Sequence, residues 1–203
     1  TDSKRKVEDA VDLIYDTLNY YDLMPDEYQE KDKIVGSYGP YVQTERKEIY
    51  QTFAKYLIEI GRAYPCFCSE DDLNVMRNKQ ECRKDRIGYY GKYAKCRNLT
   101  YEEVKEHSDR GDKFVIRLKS MGNFNKKIVF NDLIKWTIEL PENDIDQVLI
   151  KSDGIPPYAF AHVVDDHLMR TNLVIRGDEW LSSVPLHLQL FKEMGFKAPK
   201  YAH

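Results

Sequence analysis

Side chains that can do chemistry are concentrated in about thirty residues near the C-terminal end of this 203-residue chain. A turn rich in glycine and proline, Ser152–Tyr158, precedes the acidic pair Asp165 and Asp166, and the polar segment Arg176–Trp180 follows. A hydrophobic core has little use for so many polar groups beside apolar runs, whereas a site for a charged small molecule needs them. We therefore expect a ligand-binding site in this stretch.

Arg176 stands at the end of a predicted strand, just before a helix. In open α/β sheets, ligands bind beyond such strand ends. The guanidinium of Arg176 can hold a carboxylate through two parallel hydrogen bonds, and Gly177 lets the backbone approach a ligand. Glu179 can accept hydrogen bonds from a ribose diol. The alternative is a solvated turn in which Arg176 pairs with Asp178.

Tyr158 follows two prolines and opens the preceding helix, so its hydroxyl is a candidate anchor for a small ligand. His162 lies four residues later and shares its helix face. The alternatives are a half-buried tyrosine packed on the sheet and a structural histidine. Asp165 and Asp166 can bind a divalent ion or do acid–base work, or they can form structural hydrogen bonds to the next turn.

Four cysteines, at positions 66, 68, 82 and 96, are candidate metal ligands. Zinc ribbons need pairs of close ligands, and only Cys66 and Cys68 are close in sequence. Cys96 or Cys82 can complete the set, and Tyr93 is a possible oxygen ligand. Free thiols are the alternative, and four cysteines in a chain of this size suggest a reducing compartment.

A basic segment interleaved with tyrosines lies between residues 77 and 97. Its eight basic residues are Arg77, Lys79, Arg83, Lys84, Arg86, Lys92, Lys95 and Arg97. Basic and aromatic residues together are typical of surfaces that bind a phosphate backbone with unpaired bases. The net charge of −3 gives no global attraction to nucleic acid, so such binding needs this local patch. The alternative is a solvated loop.

The elements that must position these residues follow from periodicity and capping. Helices are predicted over residues 3–23, 44–60, 158–169 and 182–194, with shorter ones after Ser69 and after Thr100. Strands are predicted at 65–68, 113–119, 127–131, 135–140 and 147–151, with a buried strand at 172–176. Residues 24–43 are predicted to form a loop. This order indicates an α/β fold interrupted by a small α+β region.

Composition places the chain among soluble globular proteins, with 42% hydrophobic and 32% charged residues. No apolar run is long enough to span a membrane. The chain begins at Thr1 without an initiator methionine and ends at His203 without a predicted closing element. We therefore expect it to be a piece of a larger protein.

Four stretches together resemble the bacterial glutamyl-tRNA synthetases. They are Tyr38–Arg46, Ala63–Cys68, Asp153–Met169 and Val174–Ser182, and the opening Thr1–Arg5 resembles the end of a further motif of that family. The resemblance covers essentially the whole chain. It implies a class I catalytic domain of Rossmann type in residues 1–63 and 158–203, interrupted at 64–157 by an inserted α+β domain that binds the tRNA acceptor stem.

The resemblance also implies a reaction, its partners and its site residues. The family activates glutamate with ATP and Mg²⁺ and transfers it to tRNA(Glu). Tyr158, Arg176, His162 and Arg5 would contact glutamate, and Glu179 and Trp180 would contact ATP. The eight basic residues would contact tRNA, and Cys66, Cys68 and Cys96, with Tyr93 or Cys82, would hold a structural Zn²⁺. The complete enzyme is expected to be a cytoplasmic monomer without membrane attachment.

Neither ATP signature motif of the family is present in residues 1–203 of the chain, and the resemblance implies that one lies upstream of Thr1 and the other downstream of His203. No catalytic residue is therefore assigned within it, and we expect this chain alone to be inactive in adenylate formation. Two alternatives stay open. One is the shorter paralogue, the glutamyl-queuosine tRNA synthetase, which places glutamate on a modified tRNA base. The other is an RNA-binding module without catalysis.

Overall fold

A computed structural model describes residues 9–203. Its helices are α1 (Ala10–Tyr20), α2 (Lys47–Glu59), α3 (Glu70–Cys82), α4 (Tyr101–Asp109), α5 (Tyr158–Leu168) and α6 (Val184–Glu193). Its strands are β1 (Tyr28–Glu30), β2 (Lys33–Val35), β3 (Ala63–Cys66), β4 (Val115–Leu118), β5 (Lys127–Asp132), β6 (Trp136–Pro141), β7 (Val148–Ile150), β8 (Leu173–Ile175) and β9 (Lys200–Ala202). Short 3₁₀ helices occupy Gln43–Arg46, Gly91–Tyr93, Lys95–Asn98 and Asp178–Ser183.

The chain divides into two compact units, residues 1–49 and 50–203, and the division falls within α2. In the first unit, the helix predicted from residue 3 begins among the described residues at Ala10. The loop predicted over 24–43 contains the antiparallel hairpin β1–β2, so that prediction was wrong for these six residues. No alternation of apolar and polar residues runs through this segment, which is why the hairpin left no sequence signal.

The second unit contains two sheets. Strands β3, β4 and β7 form an antiparallel sheet. The other sheet has the order β6-β5-β9-β8, with β5 antiparallel to β6 and parallel to β9, and with β8 parallel to β9. Helix α6 connects the parallel pair β8 and β9, which confirms the predicted α/β class.

Two expectations about this second sheet were wrong. The strand at 172–176 was predicted to be buried, yet Ile175 is 75% exposed because β8 is the last strand of its sheet. The last residues were given no predicted element, yet Lys200–Ala202 form β9, with Tyr201 and Ala202 buried. The hairpin β5–β6, which lies within the range 64–157, joins the same sheet as β8 and β9. The domain boundaries stay a prediction.

Helices α5 and α6 pack together and supply much of the core of this unit. Phe160, Val163 and Val164 of α5 and Leu190 and Phe191 of α6 are at most 1% exposed. Each such side chain contributes about 1.5–3 kcal/mol by leaving water. The start of α5 is thereby fixed against the sheet, and the residues on its first two turns are held in place.

Local signals gave the starts of α3 and α4 correctly. Ser69 caps α3 and Thr100 caps α4, each in a capping box in which the third helical residue, Asp72 or Glu103, bonds back to the cap. None of the helices described between residues 9 and 203 has the length and hydropathy that a membrane crossing requires.

Candidate amino-acid site

Tyr158 and His162 share one face at the start of α5, as their four-residue spacing predicted, and Trp180 lies beside Tyr158. The Tyr158 ring is stacked on the His162 ring, with centroids 5.4 Å apart and planes 15° from parallel. Its centroid is 4.5 Å from that of Trp180, which lies in the 3₁₀ helix after β8. Tyr158 is 46% exposed, whereas His162 is buried. The three rings therefore form an aromatic wall in which Tyr158 is open to solvent and His162 lies in the core.

Arg176 follows β8 and is held by two imidazoles. Its Nε donates to Nε2 of His203 at 3.0 Å, and its Nη2 lies 3.3 Å from Nδ1 of His187. Its Nη1 is buried and has no hydrogen-bond partner. The alternative pairing with Asp178 does not occur, since Asp178 accepts from Lys135 Nζ at 2.8 Å. Among residues 9–203, no carboxylate forms an ion pair with Arg176.

His203 is oriented by Asp132 at the end of β5. The His203 Nδ1 lies 2.6 Å from Asp132 Oδ2, and both side chains are fully buried. Burial by itself raises the pKa of Asp132, but hydrogen bonds from Lys135, His203 and Ile134 outweigh it and lower the pKa below its usual value. The ionised Asp132 accepts the Nδ1 proton of His203, so the Nε2 lone pair faces Arg176.

Two imidazoles near Arg176, those of His162 and His187, are kept neutral. Burial lowers the pKa of His162 to about 4, and the Arg176 charge adds to this effect. Burial, with the neighbouring His162 and Arg176, lowers the pKa of His187 to about 2. Their ring centroids are 4.6 Å apart, and the Tyr201 hydroxyl lies 3.4 Å from Nε2 of His162.

The acidic pair has structural partners rather than a metal-like arrangement. Asp165 Oδ2 accepts from the Tyr50 hydroxyl at 2.6 Å. Asp166 lies 3.2 Å from Nδ1 of His162 without hydrogen-bond alignment, and burial raises the pKa of Asp166 to about 6. Neither residue belongs to a group of three metal-ligating side chains in the described part of the chain. The structural alternative is therefore the better interpretation of this pair.

The remaining predicted ligand contacts lie at the edge of the site or outside the described residues. Glu179 is exposed, and its carboxylate folds back over Gly177, where a Cβ atom would come within 2.2 Å of Oε2. Gly177 therefore provides the space that the Glu179 side chain occupies. Arg5 lies outside the described residues.

Three of the four cysteines form one cluster. The Sγ atoms of Cys66, Cys68 and Cys96 all lie within 4.8 Å of one another. The hydroxyl of Tyr89 completes the cluster, 3.4 Å from the sulfur of Cys66 and 3.3 Å from that of Cys68. Hydrogen bonds from Cys68 and Cys96 lower the pKa of Cys66.

Neither residue predicted as the further metal ligand joins this cluster. Cys82 is exposed at the end of α3, and the Tyr93 hydroxyl donates to Asp85 instead. Tyr89 was missed because its approach depends on the path of the chain between α3 and Cys96, which the spacing of the cysteines does not reveal.

The eight predicted tRNA contacts fall into two groups. Arg97 donates to the buried Asp146 and to the Ser120 carbonyl, and Arg86 pairs with Asp144 and covers the Phe124 ring at 3.6 Å. These two side chains are committed to internal contacts. The other six are exposed, namely Arg77, Lys79, Arg83, Lys84, Lys92 and Lys95.

Within the exposed group, the partners differ. Lys92 pairs with Asp85 and Lys95 with Asp72, whereas Lys79, Arg83 and Lys84 form no ion pair with any described residue. Exposed ion pairs contribute little and exchange readily, so all six can meet a phosphate backbone.

Comparison with known proteins places this geometry in context. All of residues 1–203 match the family model described as tRNA synthetases class I (E and Q), catalytic domain. The chain is 51% identical over 203 residues to a glutamate–tRNA ligase of Acetivibrio thermocellus and 50% identical over 204 residues to one of Clostridium beijerinckii. Each alignment includes the whole of this chain and 37% of the relative, so the chain spans a little over a third of the relatives' length.

Solved structures of similar proteins have the same fold. The crystal structure of a glutamate tRNA ligase from Elizabethkingia meningosepticum, in complex with its amino acid, superimposes with a TM-score of 0.88 at 35% identity. That match covers all of this chain and 40% of the crystallised one. A second structure, of glutamate-tRNA synthetase from Elizabethkingia anophelis, gives a TM-score of 0.86.

Proposed function

Because the chain belongs to the class I tRNA synthetase family for glutamate and glutamine, as part of its catalytic domain, we propose that the protein containing it is a glutamate–tRNA ligase. It joins glutamate to the AMP part of ATP as glutamyl adenylate, with release of pyrophosphate, and then transfers glutamate to tRNA(Glu). The observation that carries the proposal is Arg176, a partly buried guanidinium that has no carboxylate partner in the described residues and whose buried Nη1 has no hydrogen-bond partner.

Arg176 binds the side-chain carboxylate of glutamate. A lone buried cation is costly, and a ligand carboxylate that accepts from Nη1 relieves that cost through a charge-assisted hydrogen bond. Tyr158 and Trp180 form the exposed wall of the same site, and His162 lies beneath Tyr158. Arg5 is a further proposed contact for glutamate, and Glu179 and Trp180 are proposed contacts for the adenosine of ATP.

The activation step joins an α-carboxylate oxygen of glutamate to the α-phosphorus of ATP, and pyrophosphate leaves. Mg²⁺ neutralises phosphate charge in such reactions. The described residues do not gather a carboxylate set that fits this ion, so we assign it no ligand in this chain.

The exposed basic residues around α3 are the proposed tRNA contacts. Lys79, Arg83 and Lys84 lie on or just after this helix and have no competing ion pair in residues 9–203. Lys92 and Lys95 can exchange their exposed acidic partners for phosphates. Arg86 and Arg97, by contrast, hold the fold around them.

The cysteine cluster fits a structural zinc ion. Thiolates are preferred zinc ligands, and three of them at mutual distances below 4.8 Å provide most of a tetrahedral set. Cys66, Cys68 and Cys96 would hold the ion, and the Tyr89 hydroxyl is the nearest oxygen. Bound zinc would tie β3 to the 3₁₀ turn that contains Cys96, and so brace the region that carries the basic residues.

The experiment that tests the proposal uses the whole protein. Pyrophosphate exchange into ATP should depend on glutamate among the standard amino acids, and bulk tRNA should be charged at its 3′ end. Glutamate on a modified tRNA base instead would identify the shorter paralogue. RNA binding without any exchange would identify a module without catalysis. Because tRNA and ATP are cytoplasmic in bacteria, we propose that localisation, with a monomeric enzyme.

A further inference from the structure

Arg176 is held by imidazole nitrogens where a carboxylate would be the more common partner. Its Nε and Nη2 both point at ring nitrogens, of His203 and His187 respectively. A carboxylate in either place would hold the guanidinium as firmly, through charge-assisted bonds. It would also cancel the positive charge, and the site would then lose its attraction for an anion.

The surroundings keep both imidazoles in the accepting form. Asp132 accepts a hydrogen bond from the Nδ1–H of His203, so the Nε2 lone pair accepts from Arg176. His187 is fully buried, and its Nε2 has no hydrogen-bond partner. The nearby acids do not replace them, because Asp132 is separated from Arg176 by the His203 ring and Asp166 forms no ion pair with it.

We propose that His187 and His203 are positioning residues that set the specificity of the site, because they orient the Arg176 guanidinium and leave its charge for the ligand. The inference rests on the proposed function and adds to it the reason why an anionic side chain is selected over the neutral amide of glutamine. No carboxylate among the described residues neutralises the Arg176 guanidinium. A ligand carboxylate can neutralise it and a neutral amide cannot, and this difference gives the specificity.

The test compares three variants of the whole enzyme by pyrophosphate exchange with glutamate and with glutamine. His187→Glu supplies the countercharge, so the KM for glutamate should rise at least tenfold and the preference for glutamate over glutamine should fall by a similar factor. His187→Gln keeps a neutral acceptor and should change both by less than threefold. The KM for ATP should stay within threefold of wild type in each.

His203→Ala separates orientation from charge and serves if His187→Glu does not fold. Without the acceptor for Nε, the KM values for glutamate and glutamine should rise together, about tenfold, with the KM for ATP unchanged. Equal damage by His187→Gln and His187→Glu, or unchanged glutamate KM in both His187→Glu and His203→Ala, would overturn the inference. Absence of glutamate-dependent exchange in the wild type would instead refute the proposed function.

Discussion

Removing the Asp146 carboxylate should destabilise the chain strongly, because three donors from three segments converge on it. Tyr64 donates to Oδ2 at 2.6 Å, the backbone nitrogen of Ser120 donates to Oδ1 at 2.8 Å, and Arg97 forms an ion pair with it. The side chain of Asp146 is fully buried, and that of Arg97 is 18% exposed. Burial and the Asp146 carboxylate raise the pKa of Tyr64, so its hydroxyl stays a donor.

The expected loss of unfolding free energy for Asp146→Ala is about 3–5 kcal/mol, the cost of leaving a buried ion-pair partner without its counterion. Arg97→Ala should cost about 2–4 kcal/mol, because the carboxylate then keeps two donors. The double variant should cost less than the sum, since both singles break the same network.

Urea unfolding of this chain, followed by tryptophan fluorescence, measures the effect directly. Trp136 and Trp180 both lie in the unit that contains Asp146. Asp109→Ala is the matched control, because its pair with Lys105 is exposed and should contribute about 0.5 kcal/mol or less. A loss below about 1 kcal/mol for Asp146→Ala, or additive costs in the double variant, would refute the structural role assigned to Arg97.

Three further predictions concern other parts of the chain. The unfolding free energy should fall from pH 6.5 to 4.5, because His162 and His187, with pKa values of about 4 and 2 when folded, take up protons only on unfolding, each contributing up to about 1.4 kcal/mol per pH unit. The pKa of Asp166 is raised to about 6 in the folded chain, so its contribution to the unfolding free energy falls as the pH rises to 6 and partly cancels the effect of one histidine. In urea titrations, the Asp166→Asn variant should therefore show a steeper dependence of the unfolding free energy on pH. The combined Lys79→Ala, Arg83→Ala and Lys84→Ala variant of the whole protein should bind tRNA more weakly, with a log–log salt slope reduced by about 2–3, whereas the Lys105→Ala control should keep the slope. Purified chain should carry about one zinc ion by atomic absorption, lost in Cys96→Ser and kept in Cys82→Ser; zinc-free wild type would count against the site.

Elements with local signals were predictable from sequence. The capping boxes at Ser69 and Thr100 gave the starts of α3 and α4, and the alternation along β5 and β6 gave the bounds of those strands within two residues. The hairpin β1–β2 and strand β9 were missed because no alternation of apolar and polar residues runs through these segments.

The contact of His203 with Arg176 depends on strand pairing between residues that are distant in sequence. The parallel register of Asp132 with Tyr201 brings Asp132 to His203, 71 residues away in sequence. No spacing rule connects these positions. Because β9 was not predicted, the sequence did not indicate that His203 belongs to the site. Arg97 was assigned to RNA for a similar reason, since its partner Asp146 lies 49 residues further along the chain. Arg176 and Tyr158, by contrast, stand beside turn residues that mark a site locally.

The role of Arg176 is the central claim, and glutamate-dependent pyrophosphate exchange by the whole protein tests it most directly. Arg176→Ala removes the cation that faces the ligand carboxylate, so kcat/KM for glutamate should fall by about 30- to 1000-fold, equivalent to about 2–4 kcal/mol. The KM for ATP should stay within about threefold of wild type, a change below 1 kcal/mol. A loss confined to ATP affinity, or unchanged use of glutamate, would contradict the account.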